Sequence, residues 1–120
     1  MKDGPLLSAF QCASLKANGR KQAPVKGTAH EIDFEPAVKI DDLEEGRSWL
    51  LSEIDPFVPH KAWGLCLARG EEPYTGSVDI NELEALRRVG RAIAQDLRFI
   101  PQGPLSHYLA QAQAEGTLNL

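Results

Sequence analysis

The sequence predicts an α+β fold: a small antiparallel sheet of about four strands with two helices packed on one face. Two apolar runs, SWLLSEI and AWGLCLA, lie on either side of a joint that contains prolines, which is typical of a β-hairpin. Two later segments, DINELEALRRVG and LSHYLAQAQAEG, have apolar residues at helical spacing. Strands that precede helices in this way favour an α+β domain, and the predicted order is β-β-β-α-β-α.

Length and composition indicate one ordinary globular domain. The 120 residues suffice for one core, and 42% hydrophobic and 25% charged residues are close to the averages of such proteins. No apolar run approaches the roughly 18 residues that span a membrane, and the N-terminus lacks a signal-peptide core. We therefore expect a cytoplasmic protein without membrane contact, in which the sparse pair Cys12 and Cys66 stays reduced.

Three regions are predicted along the chain: a loose basic N-terminal arm over residues 1–31, a single α+β domain over 32–116 and a tail over 117–120. The arm is mostly polar and rich in Gly and Pro, which favours loop or disorder, although PLLSAF is compatible with a short strand or a helical turn. In HEIDFEPAVKI, Pro36 interrupts an alternating pattern. This segment is therefore predicted to be an edge strand or two short strands.

The hairpin is predicted to form the centre of the sheet. In its first strand one face holds the alternate residues from Trp49 to Glu53, and the other face holds those from Leu50 to Ile54. In its second strand one face is bulky, with Trp63, Leu65 and Leu67. The opposite face is small, with Ala62, Gly64, Cys66 and Ala68. The joint from residue 55 to residue 61 is predicted to be a wide loop stiffened by its prolines.

Residues 77 and 78 are predicted to begin a short third strand, and a helix follows directly. Asp79 is a suitable N-cap, Glu82 completes a capping-box pattern, and Gly90 is placed to end this helix. Its apolar stripe consists of Ile80, Leu83 and Leu86.

The last part of the chain is predicted to form one more strand and one more helix. The strand IAQDLRFIP has one apolar side, Ile93, Leu97 and Phe99. Its other side is charged, with Asp96 and Arg98. Pro104 stands where the first turn of a helix accepts it, and Gly116 is placed to close that helix. The side chains predicted to face inward are Leu105, Tyr108, Leu109 and Ala112.

The charge is unevenly distributed. Residues 1–30 hold five Lys and Arg against one Asp, whereas residues 31–120 hold eight Lys and Arg against sixteen Asp and Glu. The basic arm could contact nucleic acid, fold back on the acidic body, or be a solvated tail. The acidic body argues against a broad phosphate-binding surface, which needs clustered Lys and Arg.

No residue pattern predicts catalysis. Cys66 lies in mid-strand among apolar residues, where a thiol usually behaves as a small hydrophobe. Glu53 and Asp55 are paired carboxylates, and Asp96 is a third, but acid–base catalysis would require one of them to be buried and perturbed beside a cation. The chain has no phosphate-binding glycine loop and no zinc-ligand spacing. We expect no enzyme, no cofactor and no metal.

Two contact surfaces are predicted instead. The first, for a protein or nucleoprotein partner, consists of Glu53, Asp55, His60, Lys61, Glu71, Glu72 and Tyr74. The alternative, for nucleic acid, consists of the arm residues Lys16, Arg20, Lys21 and Lys26. The aromatic residues available for stacking on bases are Trp49, Trp63, Tyr74 and Phe99, although both tryptophans are expected in the core.

Three segments resemble a bacterial domain family of unknown function, catalogued as twenty-nine fifty-eight. They are VKIDDLEEGRSWLLSEIDP, AWGLCLARGEEPYTGSVDINELEAL and QDLRFIPQGPLSHYLAQA, and together they cover roughly residues 38–113. The family pattern is W-L-L-T-E-L-D-P, F-G-L-C-D-L-G, G-x-V-x-L-x-E-L and R-D-L-x-F. Two positions depart from it: Leu67 stands where the family has an acidic residue, and Gln95 where it has Arg.

The resemblance implies an accessory protein of mobile DNA, since genes of this family lie on plasmids and integrative elements beside anti-restriction and conjugation genes. It implies no catalytic residues. The leading hypothesis is a non-enzymatic protein that binds a host protein or nucleoprotein complex, most concretely an inhibitor of a bacterial defence system of the anti-CRISPR or anti-restriction type. The alternative hypothesis is a nucleic-acid-binding accessory factor that uses the basic arm and exposed aromatic residues.

Overall fold

The computed structural model of the chain describes residues 5–115 and shows one antiparallel sheet of five strands with three helices. The strands are β1 (Val38–Asp42), β2 (Arg47–Ile54), β3 (Lys61–Ala68), β4 (Tyr74–Asp79) and β5 (Ile93–Gln95). The helices are α1 (Ala9–Gln22), α2 (Ile80–Arg88) and α3 (Leu105–Glu115). The spatial order of the strands is β4-β3-β2-β1-β5. The mixed fold with an antiparallel sheet is confirmed, with one strand and one helix more than predicted.

Helix α1 lies in the stretch for which the sequence predicted a loose arm. Its start is a complete capping box, in which the Ser8 hydroxyl accepts from the Gln11 amide and the Gln11 side chain accepts from the Ser8 amide. The face that it buries consists of Leu15, Gly19 and Gln22. Only one of these three side chains is bulky and apolar, so the helix shows almost no hydrophobic periodicity and was missed.

The sheet carries a hydrophobic core on each of its faces, and the helices divide between them. Leu15 of α1 and Leu83 of α2 pack with Leu51 of β2 on one face. Tyr108 of α3 packs with Leu50 of β2 on the other face. The prediction that both later helices share one face is therefore wrong. The reason is that neighbouring strand residues point to opposite faces, and both leucines of β2 are fully buried.

A β-bulge near the end of β2 changes which residues share a face. The pairing with β3 shifts between Leu51 and Glu53, so that Ser52 is the extra residue. Ile54 therefore joins Leu51 in the core below α1. Glu53 lies opposite Trp63, on the face that carries α3. The predicted alternation, which placed Glu53 with Leu51, fails at this bulge, whereas the predicted alternation of β3 is confirmed.

Strands β1 and β5 both differ from the predictions. β1 begins at Val38, after Pro36, and lies between β2 and β5 rather than at an edge. β5 ends at Gln95, because the Asp96 carboxylate accepts a hydrogen bond from the Arg98 amide at 3.0 Å and turns the chain. The strand predicted over residues 93–101 is thus wrong beyond Gln95. The same amide, with help from a nearby lysine, lowers the pKa of Asp96.

The two later helices have the predicted starts. Asp79 is the N-cap of α2 and accepts from two backbone amides, and Gly90, with φ at 100°, follows the end of that helix. The amide of Leu105 in α3 donates to the Phe34 carbonyl at 2.9 Å, and Ser106 bonds to Asp33 through its amide and its hydroxyl. The predicted helix stop at residue 116 and the tail at 117–120 lie outside the described residues. None of the described helices is long and apolar enough to cross a membrane.

Candidate functional site: a groove around Trp63

The loop between β2 and β3, residues 55–60, has a fixed backbone and one prominent apolar side chain. The Asp55 carboxylate accepts from the amides of Phe57 at 2.8 Å and Val58 at 3.2 Å. The loop is closed by backbone hydrogen bonds of Lys61 to Asp55 and to Val58. Phe57 is nevertheless 84% exposed. The loop thus holds a large aromatic side chain in solvent, where a partner could bury it.

Glu53 belongs to a polar cluster beneath this loop. Glu53, which was predicted to belong to the partner-binding surface, is only 7% exposed. One carboxylate oxygen accepts from the Gln22 side-chain amide at 3.1 Å. The other lies 3.5 Å from the ammonium group of Lys26, and that ammonium group lies 3.6 Å from the centre of the Trp63 ring. A carboxylate and an aromatic face therefore hold one cation between them.

Helix α1 positions this cluster because it covers the part of β2 that β1 leaves free. β1 pairs with β2 only as far as Leu51. Beyond that point the Ser52 carbonyl accepts from the side-chain amide of Asn18 at 2.9 Å, and the backbone at Gly19 packs directly against the Ile54 carbonyl. One helical turn later, Gln22 reaches Glu53. A glycine is needed in α1 because no side chain fits at this close approach.

Gln22 also ties the following segment to the cluster. Its side-chain amide donates to the Ile32 carbonyl at 2.7 Å, and its side-chain carbonyl accepts from the Ile32 amide at 2.8 Å. Gln22 is 1% exposed. The buried side chain of Gln22 therefore makes three hydrogen bonds, two with Ile32 and one with Glu53. They fix the direction in which the chain leaves the loop after α1.

Two clefts lie on either side of the cluster and share Gln22, Glu53 and Trp63. The first has a volume of about 320 Å³, and its lining includes Asp55, Phe57, Lys61 and Ser77. The second has a volume of about 290 Å³, and its lining includes Glu31, Asp33, Phe34 and Thr75. We call these two clefts together the Trp63 groove.

The structure does not bring all of the predicted partner-binding residues together. Asp55, His60 and Lys61 lie at the loop end of β3, where His60 is exposed. Glu71 and Glu72 follow the opposite end of this eight-residue strand, which corresponds to a separation of about 25 Å, and Tyr74 pairs with Cys66, about 17 Å along the strand from Lys61. They therefore form two separate surfaces, and only the first borders the Trp63 groove.

Cys66 is a buried neutral thiol. Burial raises its pKa, and a hydrogen bond from Tyr74 opposes this effect only in part. The pKa of Tyr74 is raised in turn, mainly by the charge that Cys66 would carry. A thiol with a raised pKa is a poor nucleophile at neutral pH, as expected for a structural cysteine.

The residues predicted to bind nucleic acid do not form one exposed surface either. Arg20 and Lys21 are exposed on α1, and Lys16 lies one turn before Arg20 and is half-buried. Lys26 is engaged by Glu53 and Trp63. Of the aromatic residues proposed for stacking, Tyr74 is 57% exposed, whereas the others are partly buried: Trp49, Trp63 and Phe99.

Sequence reasoning missed several residues of the site. Phe57 carried a usable signal, because a lone aromatic residue between Pro56 and Pro59 in a loop has no core to join. Gln22 and Asn18 carried none, since their roles depend on contacts distant in sequence. Within residues 5–115 no group of three or more His, Cys, Asp and Glu side chains could hold a metal ion.

A family model described as "Protein of unknown function (DUF2958)" matches residues 6–119. The family resemblance drawn from residues 38–113 is confirmed, and the match extends it over α1. No curated protein and no solved structure matches the chain. The link to mobile DNA stays a prediction.

Proposed function

We propose that this chain, which belongs to the DUF2958 family of unknown function, is a non-enzymatic protein that binds another protein through its hairpin loop and the Trp63 groove. The observation that carries the proposal is the exposure of Phe57 on a loop whose backbone is fixed by Asp55. Because the loop backbone is already fixed, little backbone freedom is lost when Phe57 binds a partner, so more of the buried area contributes to affinity. The adjoining clefts offer space for side chains of the partner.

The groove is better suited to binding than to catalysis. Glu53 does lie buried beside a cation, which is an arrangement that acid–base catalysis can use. Both of its oxygens are engaged, however, by Gln22 and by Lys26. The other carboxylate in the first cleft, Asp55, holds the turn of the loop through Oδ1, which accepts from two backbone amides. An acid or base for catalysis needs a free position that reaches a substrate.

More specifically, we propose that the protein is encoded by a mobile element and inhibits a bacterial defence system. The acidic balance of residues 31–120, sixteen acidic against eight basic side chains, supports it, because an acidic protein can occupy a basic groove that nucleic acid would otherwise use. The location of the family's genes on plasmids and integrative elements, which the sequence resemblance implies, also supports it.

Phe57→Asp is expected to weaken partner binding about tenfold or more, since a central aromatic contact is replaced by a charge. The test is co-purification from a host lysate at physiological salt, with wild-type and variant baits. Leu43→Asp is the matched control, because Leu43 is also an exposed apolar residue but lies beyond the opposite end of β2. Equal recovery with the Phe57 variant would exclude this surface, and no partner on the wild-type bait would contradict the proposed function.

The alternative function, nucleic-acid binding, is favoured by one observation: α1 holds Arg20 and Lys21 exposed on a folded helix. This mode predicts binding that weakens steeply as salt is raised, because bound phosphates release counterions. The triple substitution of Lys16, Arg20 and Lys21 by alanine should then abolish a mobility shift of single-stranded DNA at low salt. A wild-type protein that shifts no DNA at low salt would remove this alternative.

A further inference from the structure

We propose that strand β4 accepts an extended segment of the partner as a sixth, antiparallel strand, with a basic and an apolar side chain of this segment entering the two clefts of the Trp63 groove. This inference rests on the proposed function and names the mode and the chemistry of binding.

The outer edge of β4 is available for strand pairing. β4 is a terminal strand of the sheet, and the Ile80 amide donates to the His60 carbonyl at 2.8 Å next to it. That bond fixes the antiparallel alternation, in which every second residue of β4 bonds to β3 and the intervening residues point outward. The outward groups are the amides and carbonyls of Thr75 and Ser77 and the amide of Asp79, whereas the Asp79 carbonyl belongs to the start of α2. Within residues 5–115 no backbone hydrogen bond reaches them.

The free edge lies alongside the Trp63 groove. Ser77 is opposite Trp63 and Thr75 is opposite Leu65, so their side chains lie on the face of the sheet that carries the groove. Ser77 lines the first cleft and Thr75 lines the second. Side chains two residues apart on an added strand are separated by about 7 Å along the strand. Successive side chains on this face can therefore enter the two clefts in turn.

The second cleft favours a cation. Its lining includes the carboxylates of Glu31, Asp33 and Glu53 and the Trp63 ring, and no lysine or arginine is among its lining residues. Lys26 already shows that the edge of this site accepts a cation, since its ammonium group contacts both Glu53 and Trp63. An arginine of the partner would meet the carboxylates of Glu31 and Asp33, which line this cleft away from Lys26.

The first cleft favours an apolar side chain. Phe57, Pro56, Ala62 and Trp63 supply apolar surface there. Its charges balance, because Lys26 and Lys61 face Glu53 and Asp55. The partner segment is thus expected to carry a basic residue opposite Thr75 and an apolar residue opposite Ser77.

A second copy of this chain is a poor occupant. If two β4 strands paired antiparallel about a twofold axis, the start of each strand would lie beside the end of the other. Acidic residues of the two copies would then face each other at both ends of the pair. These residues are Glu71 and Glu72 before β4 and Asp79 and Glu82 after it. Like charges placed opposite each other across a strand pair are destabilising. Charge complementarity favours a basic segment.

The test uses the full chain and the synthetic heptapeptide TRTLTRT, in which arginines flank a leucine so that neighbouring groove-facing positions are basic and apolar. Binding should shift the backbone amide signals of Thr75 and Ser77 in NMR spectra and change the fluorescence of Trp63. The peptide TETLTET should bind at least about tenfold more weakly, because its carboxylates face those of the second cleft.

N-methylation of the peptide separates strand addition from mere charge attraction. In the proposed pairing the leucine amide faces β4 and the threonine amides face away. Methylation of the leucine amide should therefore weaken binding about tenfold, whereas methylation of the preceding threonine amide should leave it nearly unchanged. Equal effects of the two methyl groups, equal binding of the arginine and glutamate peptides, or no binding of either peptide would overturn this inference.

Failure of this inference and failure of the proposed function have different signatures. A partner that is captured through Phe57, together with a heptapeptide that does not bind, would remove strand addition and leave the protein-binding function in place. A wild-type bait that captures no partner would contradict the function itself, whatever the peptide does.

Discussion

Gly19→Ala is expected to lower the free energy of unfolding by about 3 kcal/mol, the upper end of the usual cost of overpacking. In an exposed helix the same substitution would raise that free energy by about 1 kcal/mol. The sign is reversed here because a Cβ atom at position 19 would lie 1.7 Å from the Ile54 carbonyl oxygen and 2.8 Å from its carbon. These are backbone atoms of β2, so they cannot rotate away, and α1 would have to move off the sheet.

Urea unfolding followed by circular dichroism measures this effect. Ala13→Gly serves as the control in the same helix, because Ala13 is exposed and its replacement should lower stability only through helix propensity, by about 1 kcal/mol. If α1 were a loosely attached arm, Gly19→Ala would stabilise the protein or leave it unchanged. A stability gain would therefore contradict the packing of α1 against the end of β2.

The sequence could predict elements whose signals are local. The hairpin was predicted correctly because its apolar runs and its prolines are contiguous, and α2 because Asp79 caps its own helix. The alternation of β3, with Trp63 on one face and Cys66 on the other, was readable from side-chain size alone. Local rules suffice where the partner of a residue is its neighbour in the chain.

The parts that failed depend on contacts between distant segments. Helix α1 buries few apolar side chains and is held to the sheet by polar contacts such as that of Asn18 with Ser52. The bulge at Ser52 depends on the pairing of β2 with β3, and it decides that Glu53 faces the groove. The sequence also does not decide which face of the sheet α3 covers, because Leu50 and Leu51 make both faces of β2 apolar.

In the candidate site, too, the parts with local signals were predicted and the parts built from distant segments were not. The loop from Asp55 to Lys61 was identified from sequence, because its prolines and charges are local signals. The groove was not, since its walls come from the segment after α1, from β3 and from the edge of β4. Gln22 joins these parts, and a polar residue in a polar segment gives no hint of such a role.

Gln22→Met is expected to lower the free energy of unfolding by about 3 kcal/mol, although methionine keeps nearly the same length and volume. The substitution removes the hydrogen bonds of the side chain with the amide and the carbonyl of Ile32 and with the carboxylate of Glu53. Loss of a donor to a buried charged group is the largest of these effects, because the desolvated carboxylate keeps only its contact with Lys26. Gln113→Met on the exposed side of α3 is the matched control and should change stability little.

Hydrogen exchange shows whether the loss of stability arises at the groove. The Ile32 amide donates to Gln22 in the wild-type protein, so it should be protected there and exchange rapidly in the variant. The Leu105 amide donates to the Phe34 carbonyl and reports on whether the next part of the segment stays docked on α3. Rapid exchange at Ile32 with protection kept at Leu105 would mean that Gln22 alone holds the wall of the second cleft. An Ile32 amide that stays protected in the variant would contradict that role, because another contact would then hold the segment in place.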